Sequence, residues 1–369
     1  MIYLDYAAAT PVESDVLNRF NEINNKCFAN PNSNHSLGKK SKRIIDESIK
    51  NIANILNCSS DEIIFTSGAS ETNNLVIKGI AQRYKNKGKH ILLGSFEHNS
   101  IISASLSDSL GLEIELVNVL KNGLIDLDDL KNKIRKDTIL VSISAVDSEL
   151  GIRQPIEEIA DIVKEHDVYF HTDATHAIGK INIDYSNCDL ITVSPHKFYG
   201  LSGISILVKR NNVMLKPQIE GGKSTTVFRS GTPETALIAS SALALKLAID
   251  NQEKRYNYVS NLNKILVNML KEYKNIIFNS NEYSIPHIIN ISILNTKSQK
   301  MVDLLDQRNI YVSAKTSCCP IETPSKMVYA LTKDKQIASS SIRISLSHLT
   351  TNEEIDEFIK VFDEILRSI

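Results

Sequence analysis

The sequence predicts an α/β fold, with a mainly parallel central sheet flanked by helices and a smaller α/β unit towards the C-terminus. Three observations carry this expectation. Short β-branched runs, Ile63–Phe65, His90–Leu93, Thr138–Ile143, Val168–His171 and Asp189–Val193, recur along the first half of the chain. They are too continuously apolar for an antiparallel sheet with one face in water. Amphipathic stretches separate them, and after about residue 235 the rhythm changes to long helical segments, Thr235–Asp250 and Tyr258–Tyr273, followed by shorter α/β pieces.

Taken in order, each run is followed by residues that carry chemistry, and in open parallel sheets ligands collect beyond the carboxyl ends of strands. After Ile63–Phe65 comes Thr66-Ser67-Gly68-Ala69-Ser70-Glu71 and then a helix, a turn whose backbone N–H groups and hydroxyls suit a phosphate. The same composition also makes an ordinary helix cap. After His90–Leu93 comes Glu97-His98, where the imidazole is placed to stack on a flat ligand; a lone histidine also reads as a surface residue. Pro155–Lys164 reads as a helix with apolar positions 156, 159, 162 and 163 on one face and proline at its first helical position. Asp173 follows Val168–His171 closely, and Ser194-Pro195-His196-Lys197 closes Asp189–Val193.

Composition narrows the function. A chain of 369 residues can bury a large core and divides into about two domains. The net charge is -1 and the basic residues are dispersed, which points away from nucleic acid and anionic membranes and towards a small-molecule substrate. No apolar run is long enough for a membrane span or a secretory core segment, so a soluble, cytoplasmic protein is expected. The five cysteines are odd in number and lack zinc-ligand spacing, so free thiols in a reducing compartment and no metal site are expected.

A lysine and an acid, each just past a buried strand, are what a pyridoxal phosphate (PLP) enzyme requires. The lysine amine forms a Schiff base with the cofactor aldehyde, and the carboxylate pairs with the pyridine nitrogen and makes the ring an electron sink. Taken alone, Asp173 reads equally as a helix cap or a salt-bridge partner, and Lys197 as a surface charge. What favours the cofactor is that Asp173, Ser194, His196, Lys197, His98 and the 66–71 turn all fall at strand ends of one sheet.

Along nearly its whole length the chain resembles the NifS/IscS-like cysteine desulfurases of the class V aminotransferases. The matching motifs are Tyr3-Leu4-Asp5-Tyr6-Ala7-Ala8-Ala9-Thr10-Pro11, Asn30-Pro31-Asn32-Ser33-Asn34-His35, Phe65–Glu71, Glu97-His98, Asp173-Ala174-Thr175, His196-Lys197, Arg229-Ser230-Gly231-Thr232 and Ser340-Ser341-Ile342-Arg343. The resemblance implies a PLP-dependent transferase of fold type I, acting as a homodimer. Residues 12–250 would form the large cofactor domain, and residues 1–11 with 251–369 the small domain. By the same resemblance Lys197 bears the Schiff base, Asp173 holds the pyridine nitrogen, and His98 stacks on the ring and relays protons. Ala69, Ser70, Ser194 and His196 surround the phosphate, joined by Thr232 of the second subunit. Asn30 lies in the substrate-side turn, and Arg343 grips the substrate carboxylate through its planar fork. Cys318 stands in the slot of the loop cysteine that takes sulfur as a persulfide, its proton removed by a neighbour such as His98.

Several positions depart from the family pattern. Lys315-Thr316-Ser317-Cys318 replaces the usual Gly-Ser-Ala-Cys approach, and a second thiol, Cys319, follows. Ser148 stands for an asparagine that supports the cofactor's phenolic oxygen, His176 for a glutamine that donates to it, and Pro195 for a glycine before the lysine pair. Three readings therefore stay open. The first is a cysteine desulfurase supplying an acceptor protein in iron–sulfur cluster or thiolation pathways. The second is another PLP reaction, such as selenocysteine lyase, another β-lyase or an aminotransferase. The third is a cofactor-binding protein that acts through partners.

Overall fold

The computed structural model describes residues 1–315 and 323–368. Its strands, in chain order, are β1 (Ile2–Tyr3), β2 (Ile63–Thr66), β3 (His90–Gly94), β4 (Glu113–Val117), β5 (Thr138–Ser142), β6 (Tyr169–Asp173), β7 (Leu190–Val193), β8 (Ser205–Lys209), β9 (Ile276–Phe278), β10 (Ile288–Ile293), β11 (Ile310–Tyr311) and β12 (Ser341–Ser345). Seven of them form one sheet in the order β2-β8-β7-β6-β5-β3-β4. All are mutually parallel except β8, which runs antiparallel between β2 and β7. The five expected runs are all strands of this sheet. Those between β7 and β3 are buried along nearly their whole length, because helices cover both faces. β4, with Glu113 exposed, is the edge strand beside β3; its charges left no apolar run to read.

The helix Ile156–Glu165 forms as the spacing predicts and buries Ile156, Ile159, Ile162 and Val163, although Pro155 stands at the cap and not inside the first turn. Thr235–Asp250 is a helix with the expected bounds, while its successor is Gln252–Leu270 and so starts six residues before the expected Tyr258. The buried alanines and serines of Thr235–Asp250 let the helices Ser14–Lys26 and Ser36–Ile55 pack closely against it.

A second sheet, β12-β10-β9, is antiparallel, and β1 pairs in parallel with β11. Its core joins Ile2 and Leu4 to Val259, Leu262, Leu266, Ile291, Ile344, Phe358 and Phe362. Leu4 is fully buried there, a contribution of about 1.5–3 kcal/mol for a side chain of this size. Two bonds tie the N-terminal segment to the far end of the chain: Ser345 N–H donates to the Leu4 carbonyl at 2.7 Å and Ala7 N–H to Ser345 Oγ at 2.9 Å. Side chains alternate along a strand, so while Ile342 and Ile344 enter this core, Arg343 points the other way, towards the large sheet. No helix among the described residues is long and apolar enough to cross a membrane.

Candidate active site

The carboxyl ends of β2, β3, β5, β6 and β7 open on one cavity of about 510 Å³. Its lining includes Ala69 and Ser70 after β2, His98 after β3, Ser148 after β5, Asp173 and His176 at the end of β6, and His196 and Lys197 after β7. Arg343 enters from the second sheet, and Ala7 and Ala8 from the N-terminal segment. Ser194 stands one layer back, its hydroxyl 3.0 Å from His196 Nδ1. Two further sequence candidates lie outside the cavity. Asn30 is exposed and accepts from Asn32 N–H at 2.9 Å. Thr232 is exposed in a separate depression beyond the 66–71 turn. Cys318 and Cys319 lie outside the described residues.

Each side chain has a physical reason for its place. Lys197 sits in a short 3₁₀ turn begun by Pro195, and its Nζ donates to the carbonyls of Ala7 at 2.7 Å and Ala8 at 2.6 Å. Asp173 Oδ1 accepts Thr175 N–H at 3.0 Å and Oδ2 accepts Asn73 Nδ2 at 2.9 Å, which fixes the carboxylate plane. Ala69 and Ser70 begin the helix Ala69–Arg83, whose first-turn N–H groups have no intrahelical acceptor and suit a phosphate. Glu71 braces that turn, accepting Ser67 N–H at 2.8 Å and Arg229 Nε at 2.9 Å; the pair ties Arg229 to the 66–71 turn.

Arg343 is 1 % exposed. Its Nη1 donates to the Ser148 carbonyl at 2.7 Å and its Nη2 to Asp5 Oδ1 at 2.8 Å. Asp5 was not among the sequence candidates. Burial, followed by the charges of Lys180 and Lys197, holds His176 well below the usual imidazole range. Burial together with Lys197 lowers His196 to about 4, so both rings are neutral at pH 7. Lys180 was also missed: burial, then the charges of Lys197 and Arg343, brings its ammonium down to about 7. Lys315 donates to the backbone carbonyl and to Oγ1 of Thr323. Cys27, Cys58 and Cys188 are free thiols, and burial pushes Cys58 up to about 11 and Cys188 further.

The cavity fits PLP on the evidence of its own atoms. Ser148 Oγ, His176 Nδ1 and Arg343 Nε are buried, border the cavity, and have no hydrogen-bond partner among the described residues. Buried polar atoms need partners, and a flat ligand bearing a phenolic oxygen, with an amino-acid carboxylate beside it, supplies acceptors at these places. The helix start would suit a phosphate, Asp173 would face a ring nitrogen, and Lys197 would hold an aldehyde.

A parallel α/β sheet with a lysine, a carboxylate and a helix start gathered at its strand ends defines a PLP-type enzyme site. The chain belongs to the class-V aminotransferase family, whose model matches residues 2–358. A curated relative, "Cysteine desulfurase IscS" of Buchnera aphidicola subsp. Baizongia pistaciae, is 39 % identical over 381 residues, covering 100 % of this chain and 93 % of that protein. Among solved structures, a "NIFS-LIKE PROTEIN" superposes with a TM-score of 0.93 at 30 % identity, covering 100 % of both chains. Another, "SspA in complex with cysteine", gives a TM-score of 0.84 at 30 % identity over 95 % of this chain and 100 % of that one.

Proposed function

We propose that this chain is a PLP-dependent cysteine desulfurase that converts L-cysteine to L-alanine and carries the sulfur as a persulfide on Cys318. The observation that carries the reading is the meeting of Lys197, Asp173 and Arg343 on one cavity. The family relationship and the names of the relatives support it. When bound, the cofactor supplies an electron sink that makes the substrate Cα proton removable.

The residues divide the remaining work. Arg343, already fixed by Ser148 and Asp5, offers its remaining N–H groups to the substrate carboxylate and so orients Cα towards Lys197. The Lys197 amine takes the Cα proton, and the Ala7 and Ala8 carbonyls hold that amine in place beforehand. Asp173, locked by Asn73 and Thr175, keeps its charge at the ring nitrogen. The Cys318 thiolate attacks the substrate sulfur; the sulfur–sulfur bond forms as the carbon–sulfur bond breaks, and the electron pair stays on carbon, which is protonated to give alanine.

In this reading residues 12–250 form the cofactor domain, and residues 1–11 with 251–369 the small domain that carries the Cys318 loop. A second copy of the chain supplies Thr232 to the phosphate, and the persulfide passes to an acceptor protein, including acceptors in iron–sulfur cluster assembly, in the cytoplasm. A second reading, a selenocysteine lyase, another β-lyase or an aminotransferase, is favoured by Ser148 and His176 facing the place of the phenolic oxygen. The test is cysteine turnover by PLP-loaded protein, with alanine and bound persulfide detected by mass spectrometry in wild type, Cys318→Ser and Cys319→Ser. Alanine with persulfide on Cys318, lost in the first variant, is expected. A yellow protein that binds cysteine and makes neither product overturns the desulfurase in favour of the second reading.

A further inference from the structure

Behind the cavity a continuous set of hydrogen bonds, buried or half-buried, joins the residue on one side of the cofactor place to the residue on the other. Its centre is Asn73, fully buried in the middle of the helix Ala69–Arg83. Asn73 Nδ2 lies 2.9 Å from Asp173 Oδ2 and 2.9 Å from Ser100 Oγ; its Oδ1 lies 2.8 Å from Thr192 Oγ1. Ser100 Oγ is 2.8 Å from His98 Nδ1, and Ser100 N–H donates to the same nitrogen at 3.1 Å. On the other side, Thr192 Oγ1 is 3.0 Å from His171 Nε2, and His171 Nδ1 is 2.8 Å from Ser142 Oγ.

Every proton in this set has one consistent place. A carboxylate only accepts, so the Asn73 amide must turn its NH₂ to Asp173 and its oxygen to Thr192. The Thr192 hydroxyl therefore donates to Asn73 and accepts from His171 Nε2–H. Burial lowers His171 to about 4, so the ring is neutral, and its Nδ1 accepts from the Ser142 hydroxyl. In the other direction, Asn73 donates to Ser100 Oγ, which leaves the Ser100 hydroxyl to donate to His98 Nδ1. A backbone N–H donates to that nitrogen as well. His98 Nδ1 is thus an acceptor twice over, which leaves Nε2 as the nitrogen that carries the ring proton.

We propose that Asn73 is a positioning residue of this site: its one carboxamide fixes the carboxylate of Asp173 and, through Ser100, the tautomer of His98, so that the imidazole meets the substrate as a proton donor at Nε2. The role rests on the desulfurase reading, and it changes the part expected for His98: with Nδ1 already accepting, the ring presents an N–H and not a lone pair at Nε2, so it is not the base that takes the Cys318 proton. Protonation of the carbon left by sulfur removal is a step that such a donor serves.

The test has a readout independent of turnover. Wild type, Asn73→Ala and Ser100→Ala are labelled with nitrogen-15 histidine, and the His98 ring signals, assigned by their loss in His98→Gln, report the tautomer with and without PLP. The absorbance of the PLP-loaded proteins and the kcat and KM for cysteine are measured in parallel. In wild type His98 carries its proton on Nε2. Asn73→Ala moves the His98 signals towards a mixed tautomer, shifts the cofactor absorbance, and lowers kcat roughly ten- to hundredfold, as loss of a partner that orients a ligating histidine does elsewhere, with KM little changed. Ser100→Ala moves the His98 signals and leaves the cofactor absorbance as in wild type. If Asn73→Ala does not fold, the Ser100→Ala spectra decide. A His98 proton on Nδ1 in wild type, or folded variants whose His98 signals and cofactor absorbance match wild type, overturns the proposal. Failure of the desulfurase reading looks different: a wild type that takes no PLP, or makes no alanine, while its His98 tautomer is as assigned.

Discussion

Removing the Asp5 carboxylate tests how Arg343, the arginine proposed to grip the substrate, is held before a substrate arrives. Arg343 is 1 % exposed, and Asp5 Oδ1 is the one charged partner of its guanidinium among the described residues, at 2.8 Å. In Asp5→Ala the Ser148 carbonyl still accepts from Nη1, but the charge loses its counter-ion, and Nε already has no partner among the described residues. Breaking a fully buried pair costs about 3–5 kcal/mol. The Asp5 side chain is 17 % exposed, so water reaches the vacated place and the expectation falls to about 2–4 kcal/mol. Urea unfolding of the PLP-loaded protein, followed by cofactor absorbance, measures it. Because a carboxylate ligand binds the folded state only and replaces the missing counter-ion, a non-reacting amino acid such as alanine should raise the midpoint of Asp5→Ala more than that of wild type. Asp5→Ala/Arg343→Met, which removes the stranded charge, should recover most of the loss. A single variant within about 0.5 kcal/mol of wild type, the range of ordinary surface changes, would refute the reasoning, as would a double variant no better than the single.

Three further outcomes follow from the same cavity. Ser148→Asn/His176→Gln should move the pH midpoint of the cofactor absorbance, because the hydrogen bonding at the phenolic oxygen changes; an unchanged midpoint removes that role for both residues. Burial pushes the Glu97 carboxyl up from 4.5 to about 8, so the folded chain holds this proton more tightly than the unfolded one. Wild type should lose stability as pH rises from about 4.5 to 8, and Glu97→Gln should show a flatter urea-midpoint profile over that window. Lys180 is the opposite case: its pKa is lowered from 10.5 to about 7, so stability should rise between about pH 7 and 10. Lys180→Met should raise the urea midpoint near pH 7, with the gain fading towards pH 10.

The residues legible in the sequence are those that one strand end delivers. Asp173 and Lys197 follow apolar runs directly, and parallel strands bring such positions to one edge whatever the rest of the chain does. Asn73, Asp5 and Lys180 were not legible. Asn73 sits inside a helix and meets Asp173 at a sequence separation of 100, and Asp5 meets Arg343 at a separation of 338; no local period records either meeting. Lys180 reads as an ordinary charge two turns after a motif, because its burial comes from elements far away. The reversed direction of β8 was equally silent. A strand's apolar pattern is the same read either way, and its direction follows from the connection before it. Asn30 matches a family motif yet stands outside the cavity in the single chain, since a motif gives residue types and not the surface they face.

The contacts of the first eight residues also set an order of events during synthesis. β1 waits for β11, Leu4 for Ser345, and Asp5 for Arg343, so residues 1–5 meet these partners only after residues 310–345 have been made. The large sheet can form first, since its strands lie between residues 63 and 209, whereas the two carbonyls that hold Lys197 arrive only when the segment docks. Contacts of such long range are slow to close. A nascent chain on this course carries a folded sheet with an unfinished site, and becomes competent in one late step that joins its beginning to its end.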